Sequence, residues 1–188
     1  MERAELSPTQ TFEPDSQVFF RAAQLLLAFS VASELSIRLP TTERLAAYDF
    51  FTANPFAVLS KNDDADSRDS LRLELVGYAR GQLSYASLGH RFVSRRERIR
   101  ADLAVLVARG LVEIGEEAFM ITDAGRNIAD QLRSAYADAY RLAAEIVLVR
   151  LNRLSDRQLR ESSAAWAGTH WLLLDLFDDV VHPEVGAQ

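Results

Sequence analysis

Residues 109 to 125 constrain this chain more than any other stretch. They read Arg109-Gly110-Leu111-Val112-Glu113-Ile114, an acidic turn Gly115-Glu116-Glu117, then Ala118-Phe119-Met120-Ile121-Thr122-Asp123-Ala124-Gly125. Glycine just past an apolar helical run is a stop signal, because it adopts the left-handed backbone without steric cost. Leu111 to Ile114 and Ala118 to Ile121 are short apolar runs about a tight turn, which predicts a hairpin. Thr122 is placed to cap the next helix. A helix, a two-stranded hairpin and a second helix must therefore pack together here.

Upstream, Val18 to Ser36 is apolar on most faces (Phe19, Ala22, Leu25, Leu26, Phe29, Ala32) and predicts a helix buried at the centre of the domain. Pro40 ends the approach to a second helix, Glu43 to Ala53, capped by Thr41 or Thr42 and broken at Asn54-Pro55-Phe56. Lys61 to Ser70 carries strong turn chemistry and is expected to be a solvated loop. Leu71 to Arg80 is expected to be helical, closing at Gly81.

Ser94-x-x-Glu97 has the form of a capping box and is expected to open the next helix, with Ile99, Leu103, Leu106 and Val107 as its core stripe and Gly110 as its stop. After the hairpin, one helix is expected from Thr122 to about Arg153. Its apolar positions Ile128, Leu132, Ala135, Ala139, Leu142, Ile146 and Val149 step by fours and threes, a heptad seam. Ser155 can cap a further helix, and Trp166 to Val181 closes the chain. The expected class is mainly α with a small β wing: a winged-helix domain with a long C-terminal helical extension. Residues 1–16 are read as a flexible N-terminus, 17–122 as the winged-helix domain, and 123–188 as the long helix and extension.

The chemistry is defined largely by what is missing. With no cysteine among 188 residues, disulfides, thiolate metal sites and cysteine nucleophiles are excluded. His90, His170 and His182 do not pair at metal-ligand spacing, and there is no phosphate-cradling glycine loop or nucleophile elbow. Asp63-Asp64 and Asp178-Asp179 read as solvated carboxylates. The expectation is a protein that is not an enzyme and uses no cofactor or metal. Residues 1 to 15 lack the apolar core of a signal peptide, and Val18 to Ile37 is interrupted by Arg21, Gln24 and Glu34, so no membrane span is expected. A cytoplasmic location is the corresponding expectation.

The formal net charge is −6, which argues against bulk capture of nucleic acid. Its distribution is uneven. Between Arg91 and Arg109 six arginines face only Glu97 and Asp102, a local +4 that leaves −10 elsewhere. Arg91, Arg95, Arg96, Arg98 and Arg100 fall near the expected start of the main helix. Such a cluster suits DNA or an acidic protein surface, or is simply a solvated face. The seam residues Leu132, Ala139, Leu142 and Ile146 are candidates for a dimer or partner interface, or for packing along the domain's own first helix. The segment from Trp171 to Val181 is densely apolar with acidic punctuation and must be covered, either by its own core or by a partner. Trp166, Trp171 and Phe177 are its candidate anchors.

Three stretches together resemble the middle components of ABC-type three-component systems: Arg44-Leu45-Ala46-Ala47-Tyr48-Asp49-Phe50-Phe51 leading to Asn54-Pro55-Phe56; Phe92-Val93-Ser94-Arg95-Arg96-Glu97-Arg98-Ile99; and Ala108-Arg109-Gly110-Leu111-Val112 with the hairpin and Thr122-x-x-Gly125 behind it. The resemblance spans roughly residues 18 to 160. It implies an adaptor in a Lamassu-like defence complex, set between an SMC-like or Rad50-like ATPase and an effector nuclease that it holds in check, with DNA reached through the complex. The rival reading is a dimeric winged-helix transcriptional regulator.

Overall fold

The computed structural model describes residues 17–60, 63–79 and 85–167, with side chains from Leu88 onward in the last of these. Among them are seven α-helices and one two-stranded sheet: α1 (Val18–Glu34), α2 (Thr42–Ala53), α3 (Asp64–Leu75), α4 (Tyr85–Ala108), β1 (Val112–Ile114), β2 (Phe119–Ile121), α5 (Asp123–Gln131), α6 (Ala135–Asn152) and α7 (Asp156–Ala167). The protein is mainly α with a small β hairpin. None of these helices is long and apolar enough to cross a membrane.

Four helices, α1, α2, α4 and α6, surround the core. Leu25, Leu26, Phe29, Leu45, Phe50, Phe51, Ile99, Leu106, Val147 and Leu148 are all buried in one cluster, which draws on both sides of residue 122. α1 is apolar on most faces because neighbours meet it all round: α2, α4, α5, α6 and the hairpin all touch it. It ends in a left-handed Ser36 (φ 55°), where Ile37 N–H reaches back to the Ala32 carbonyl at 2.8 Å. α2 begins as expected: Thr41 accepts from the Arg44 amide at 3.2 Å. After Asn54, Pro55–Val58 forms a 3-10 turn.

The hairpin is antiparallel, with Val112 opposite Ile121 and Ile114 opposite Phe119. Gly110 (φ +66°) reverses the chain after α4, and the Leu111 amide bonds the Leu106 carbonyl at 2.9 Å. Thr122 clasps the hairpin base twice. It accepts from the Gly125 amide at 3.0 Å and donates to the Gly110 carbonyl at 2.7 Å. A Cβ on Gly125 would lie 2.1 Å from the Leu111 carbonyl oxygen, so only glycine fits there. Leu39, between α1 and α2, forms an isolated antiparallel bridge to Phe119.

Three expectations are corrected. The stretch from Lys61 to Ser70 is mostly helix: Asp63 caps α3, accepting from the Ala65 and Asp66 amides at 2.7 and 3.2 Å. Asp64 and Asp66 favour the positive end of that helix, so residues that look like turn formers are helix starters. α3 stops at Leu75 before Gly77 (φ +102°), and Gly81 lies outside the described residues. Second, Ser94 caps nothing. α4 begins nine residues earlier because its buried stripe extends back through Phe92 and Leu88.

The third correction concerns the long helix, which breaks between Gln131 and Ala135. Ser134 caps α6 by accepting from the Ala137 amide at 3.1 Å. Arg141 donates to the Ala129 and Leu132 carbonyls at 2.7 and 3.1 Å, taking up acceptors that an unbroken helix would have satisfied itself. The heptad seam is thereby split, and Ile128 and Val149 are left exposed. α6 buries residues on most of its faces, including Ala137, Ala139, Tyr140, Ala144, Ile146 and Leu148.

Candidate functional site

Five arginines form a candidate face for DNA or an acidic partner, and the structure separates them. They occupy α4 from its second to its fifth turn, not its amino-terminal end. At 3.6 residues per turn, Arg91 and Arg98 lie on one flank of the buried stripe and Arg96 and Arg100 on the other. Arg95 lies within the stripe and is only 6% exposed. It donates to both carboxylate oxygens of Asp49, the second at 3.1 Å, and to Gln24 Oε1 at 2.6 Å. Arg95 is thus a buried member of the core. Arg98 is half-buried and donates to the Ser94 carbonyl at 3.1 Å. Arg100 and Glu43 approach at 3.8 Å with both side chains exposed, a pair worth little.

A buried polar network thus ties the four central helices, and the sequence signals for it are slight. Asp49 of α2 accepts from Arg95 of α4 and, at 3.4 Å, from the Tyr140 hydroxyl of α6. Gln24 of α1 links Arg95 to Tyr136, donating to its hydroxyl at 2.5 Å. Beside it, Arg21 of α1 pairs bidentately with Asp102 of α4 at 2.8 and 2.9 Å, and that bond holds the Arg21 guanidinium above its usual pKa. A charged residue at helical spacing within an apolar stripe was the one available clue.

The flanking helices are tied on in the same way. Arg44 donates to Asp156 at 2.9 and 3.0 Å, to the Tyr48 hydroxyl at 2.9 Å and to the Leu154 carbonyl at 2.6 Å, holding the α6–α7 turn to α2. Arg150 binds α3 through Asp66 and, at 2.9 Å, Asp69.

Burial raises the phenol pKa of Tyr48, Tyr78 and Tyr140. A raised folded-state pKa contributes stability that is complete below the unfolded value and is lost as pH rises through and beyond it. The fold is therefore expected to hold to about pH 10 and to unfold cooperatively above it. Phenolate absorbance should then appear together with loss of helical circular dichroism. Phenolate formation that precedes the loss of helix would show these tyrosines to be accessible.

Of the four seam residues named as a candidate interface, two are buried and two half-buried. Ala139 and Ile146 are buried. Leu142 packs with Leu73, Ala143 and Ile146, and Leu132 with Leu27, Ala28 and Tyr140. Trp166 packs edge-on against Phe51 at 5.2 Å (82°), so it anchors α7 to this chain's own core. Trp171 and Phe177 lie outside the described residues.

Exposed apolar side chains also lie outside the seam. On α3, Leu71, Leu75 (78% exposed) and the adjoining Val76 face solvent; on the hairpin, Ile114 (68%) and Met120 do. A groove of about 720 Å³ runs beside the hairpin, floored by Phe29, Leu39 and Phe119 and rimmed by Glu113, Glu116 and Glu117. Arg38, paired with Glu117, and Arg126 also line it, so its rim carries charges of both signs. Among the described residues no cluster of histidines and carboxylates could hold a metal ion.

No curated protein and no solved structure matches the chain. Residues 84–170, which take in α4, the hairpin, α5, α6 and α7, match the family model described as ABC-three component (ABC-3C) system Middle Component 2, and over that span the chain is similar to an accessory component of a multi-component system.

Proposed function

We propose that this protein is a non-catalytic, cytoplasmic adaptor of winged-helix architecture in a Lamassu-like defence complex, bridging an SMC-like ATPase and an effector nuclease and restraining the nuclease until the ATPase is engaged. The match of residues 84–170 to a middle component carries this reading. The order α1, bridging Leu39, α2, α3, α4, hairpin, with α3 an addition between the second helix and the main helix, supports the winged-helix assignment. Exposed apolar side chains at separate places, among them Leu71 and Leu75 on α3 and Ile114 on the hairpin, suit a subunit that meets partners. DNA contact, where it occurs, falls to Arg91, Arg96, Arg98 and Arg100, since Arg95 is committed to Asp49.

Affinity capture of the tagged protein from its native host, with the co-purifying proteins identified by mass spectrometry, tests this. A large coiled-coil ATPase together with a nuclease-like subunit is the expected result. Leu75→Glu and Ile114→Glu, both on exposed positions, should each reduce recovery of a partner about tenfold while leaving thermal stability unchanged. Recovery of the protein alone as a dimer that binds an operator in a salt-sensitive way would replace the adaptor with the regulator.

A further inference from the structure

α3 lies on the stretch of α6 that the heptad spacing marks as a candidate interface, and it fits that stretch incompletely. Its one fully buried apolar side chain, Leu73, packs on Ala143 and Ile146, with Leu142 alongside. Leu71 and Leu75 project from the opposite side of α3, at about 100° per residue. They are 57% and 78% exposed. Much of the remaining contact is ionic. Arg150 of α6 donates to Asp66 and, at 2.9 Å, to Asp69, and Arg72 approaches Glu145 at 3.7 Å. Arg150 is not fully satisfied by this arrangement: its Nε is buried and has no hydrogen-bond partner among the described residues. One leucine and a few carboxylates therefore hold a helix whose other leucines stay in water.

α6 does not depend on α3 for its own place. Ala144, Val147, Leu148 and Leu151, on its other faces, belong to the main core, where α1 and α2 pack on the same helix. We propose that Leu142, Ala143, Ile146 and Arg150 form a docking site for an amphipathic helix of a partner protein, and that α3 is its intramolecular placeholder. α3 itself defines the chemistry of the occupant. The incoming helix seats a leucine or isoleucine on Ala143 and Ile146, and carries carboxylates one and two turns towards its amino terminus that meet Arg150. A helix with all its leucines on that one face buries more apolar surface there than α3 does, and this difference drives the exchange. The proposal rests on the reading of the chain as a subunit that binds other proteins, and not on the identity of those proteins.

The chain has no cysteine, so a single introduced thiol reports exposure at one place. Ile146→Cys lies under α3, and Leu148→Cys lies in the main core on the same helix. In the isolated full-length protein a thiol reagent should modify Ile146→Cys at least about tenfold faster than Leu148→Cys, because α3 opens without global unfolding. Its rate should also depend less steeply on urea, since the local opening exposes less surface. Arg150→Gln should speed modification of Ile146→Cys about tenfold by removing the charge that holds Asp66 and Asp69. Leu73→Glu should dislodge α3. In that background a synthetic peptide of residues 63–76, held helical by a hydrocarbon link between positions 71 and 75, should slow modification of Ile146→Cys at millimolar concentration. The same peptide carrying Leu73→Glu should not. Equal rates and equal urea dependence at the two positions would overturn the proposal, as would a peptide that gives no protection. Modification of Ile146→Cys that slows as protein concentration rises would assign the seam to α3 of a second copy and overturn it equally. No partner protein enters the experiment, so its failure leaves the capture of an ATPase and a nuclease as a separate question.

Discussion

Replacing Asp49 with alanine is expected to destabilise the fold by about 3–5 kcal/mol, because it leaves the buried Arg95 guanidinium without its counter-charge. Arg95, 6% exposed, would lose both of its bonds to the carboxylate and keep that to Gln24 Oε1, at 2.6 Å. Tyr140 would lose its acceptor in the same step. For a domain of this size the melting temperature should fall by roughly 10 °C. Asp49→Leu combined with Arg95→Met should recover most of that loss, since a buried ion pair replaced by well-packed apolar groups is often neutral or stabilising. A double variant no more stable than Asp49→Ala would show that the network matters through shape and not through charge. The same comparison bears on function. Loss of partner or DNA binding in an Arg95 variant would report unfolding, so interface mapping on α4 belongs to Arg91, Arg96, Arg98 and Arg100.

Phe51→Ala should cost a comparable amount, about 3–5 kcal/mol, by opening a cavity where three aromatic rings converge. Phe51 is fully buried, edge-on to Phe50 at 5.2 Å and to Trp166 at 5.2 Å, and stacked on Phe92 at 5.7 Å. Its loss should be felt unevenly. α7 is held by Trp166, Leu159 and the Arg44–Asp156 pair, so exchange in α7 should accelerate more than exchange in α6, which is buried on most faces. Uniform acceleration across both helices would mean that α7 is integral to the core and not an element docked on it. The result matters for the proposed adaptor, because the match to the middle component extends through α7.

Much of the architecture was legible from local chemistry. Thr41, Ser155, Thr122 and Gly110 each act at the helix ends their residue types predict. Ser155 and Gln158 even form the reciprocal cap that the spacing of Ser94 and Glu97 predicts: Ser155 N–H donates to Gln158 Oε1 at 3.0 Å, and Gln158 N–H to Ser155 Oγ at 3.3 Å. Both sequences satisfy the same rule. What separates them is that Phe92 and Leu88 upstream of Ser94 find a core to pack on, so the helix runs straight through the capping motif. Asp63 misled in the opposite sense, because an acidic, polar run starts a helix as readily as it forms a loop when something packs its inner face. Here Leu73 is fully buried against Ala143 and Ile146.

The helical class, the hairpin between two helices, and the stop at Gly110 and caps at Thr41, Thr122 and Ser155 were set by the order of residues, since they depend on backbone geometry and on neighbours a few positions away. Which charges are interior, and where a helix breaks, depended on contacts between distant parts of the chain. Arg95 and Arg96 are adjacent and chemically identical, yet one is sealed against Asp49, 46 residues away, and the other lines an open groove. The heptad spacing of Ile128 to Val149 was regular, but the helix breaks between Gln131 and Ala135, and α5 and α6 each pack on α1.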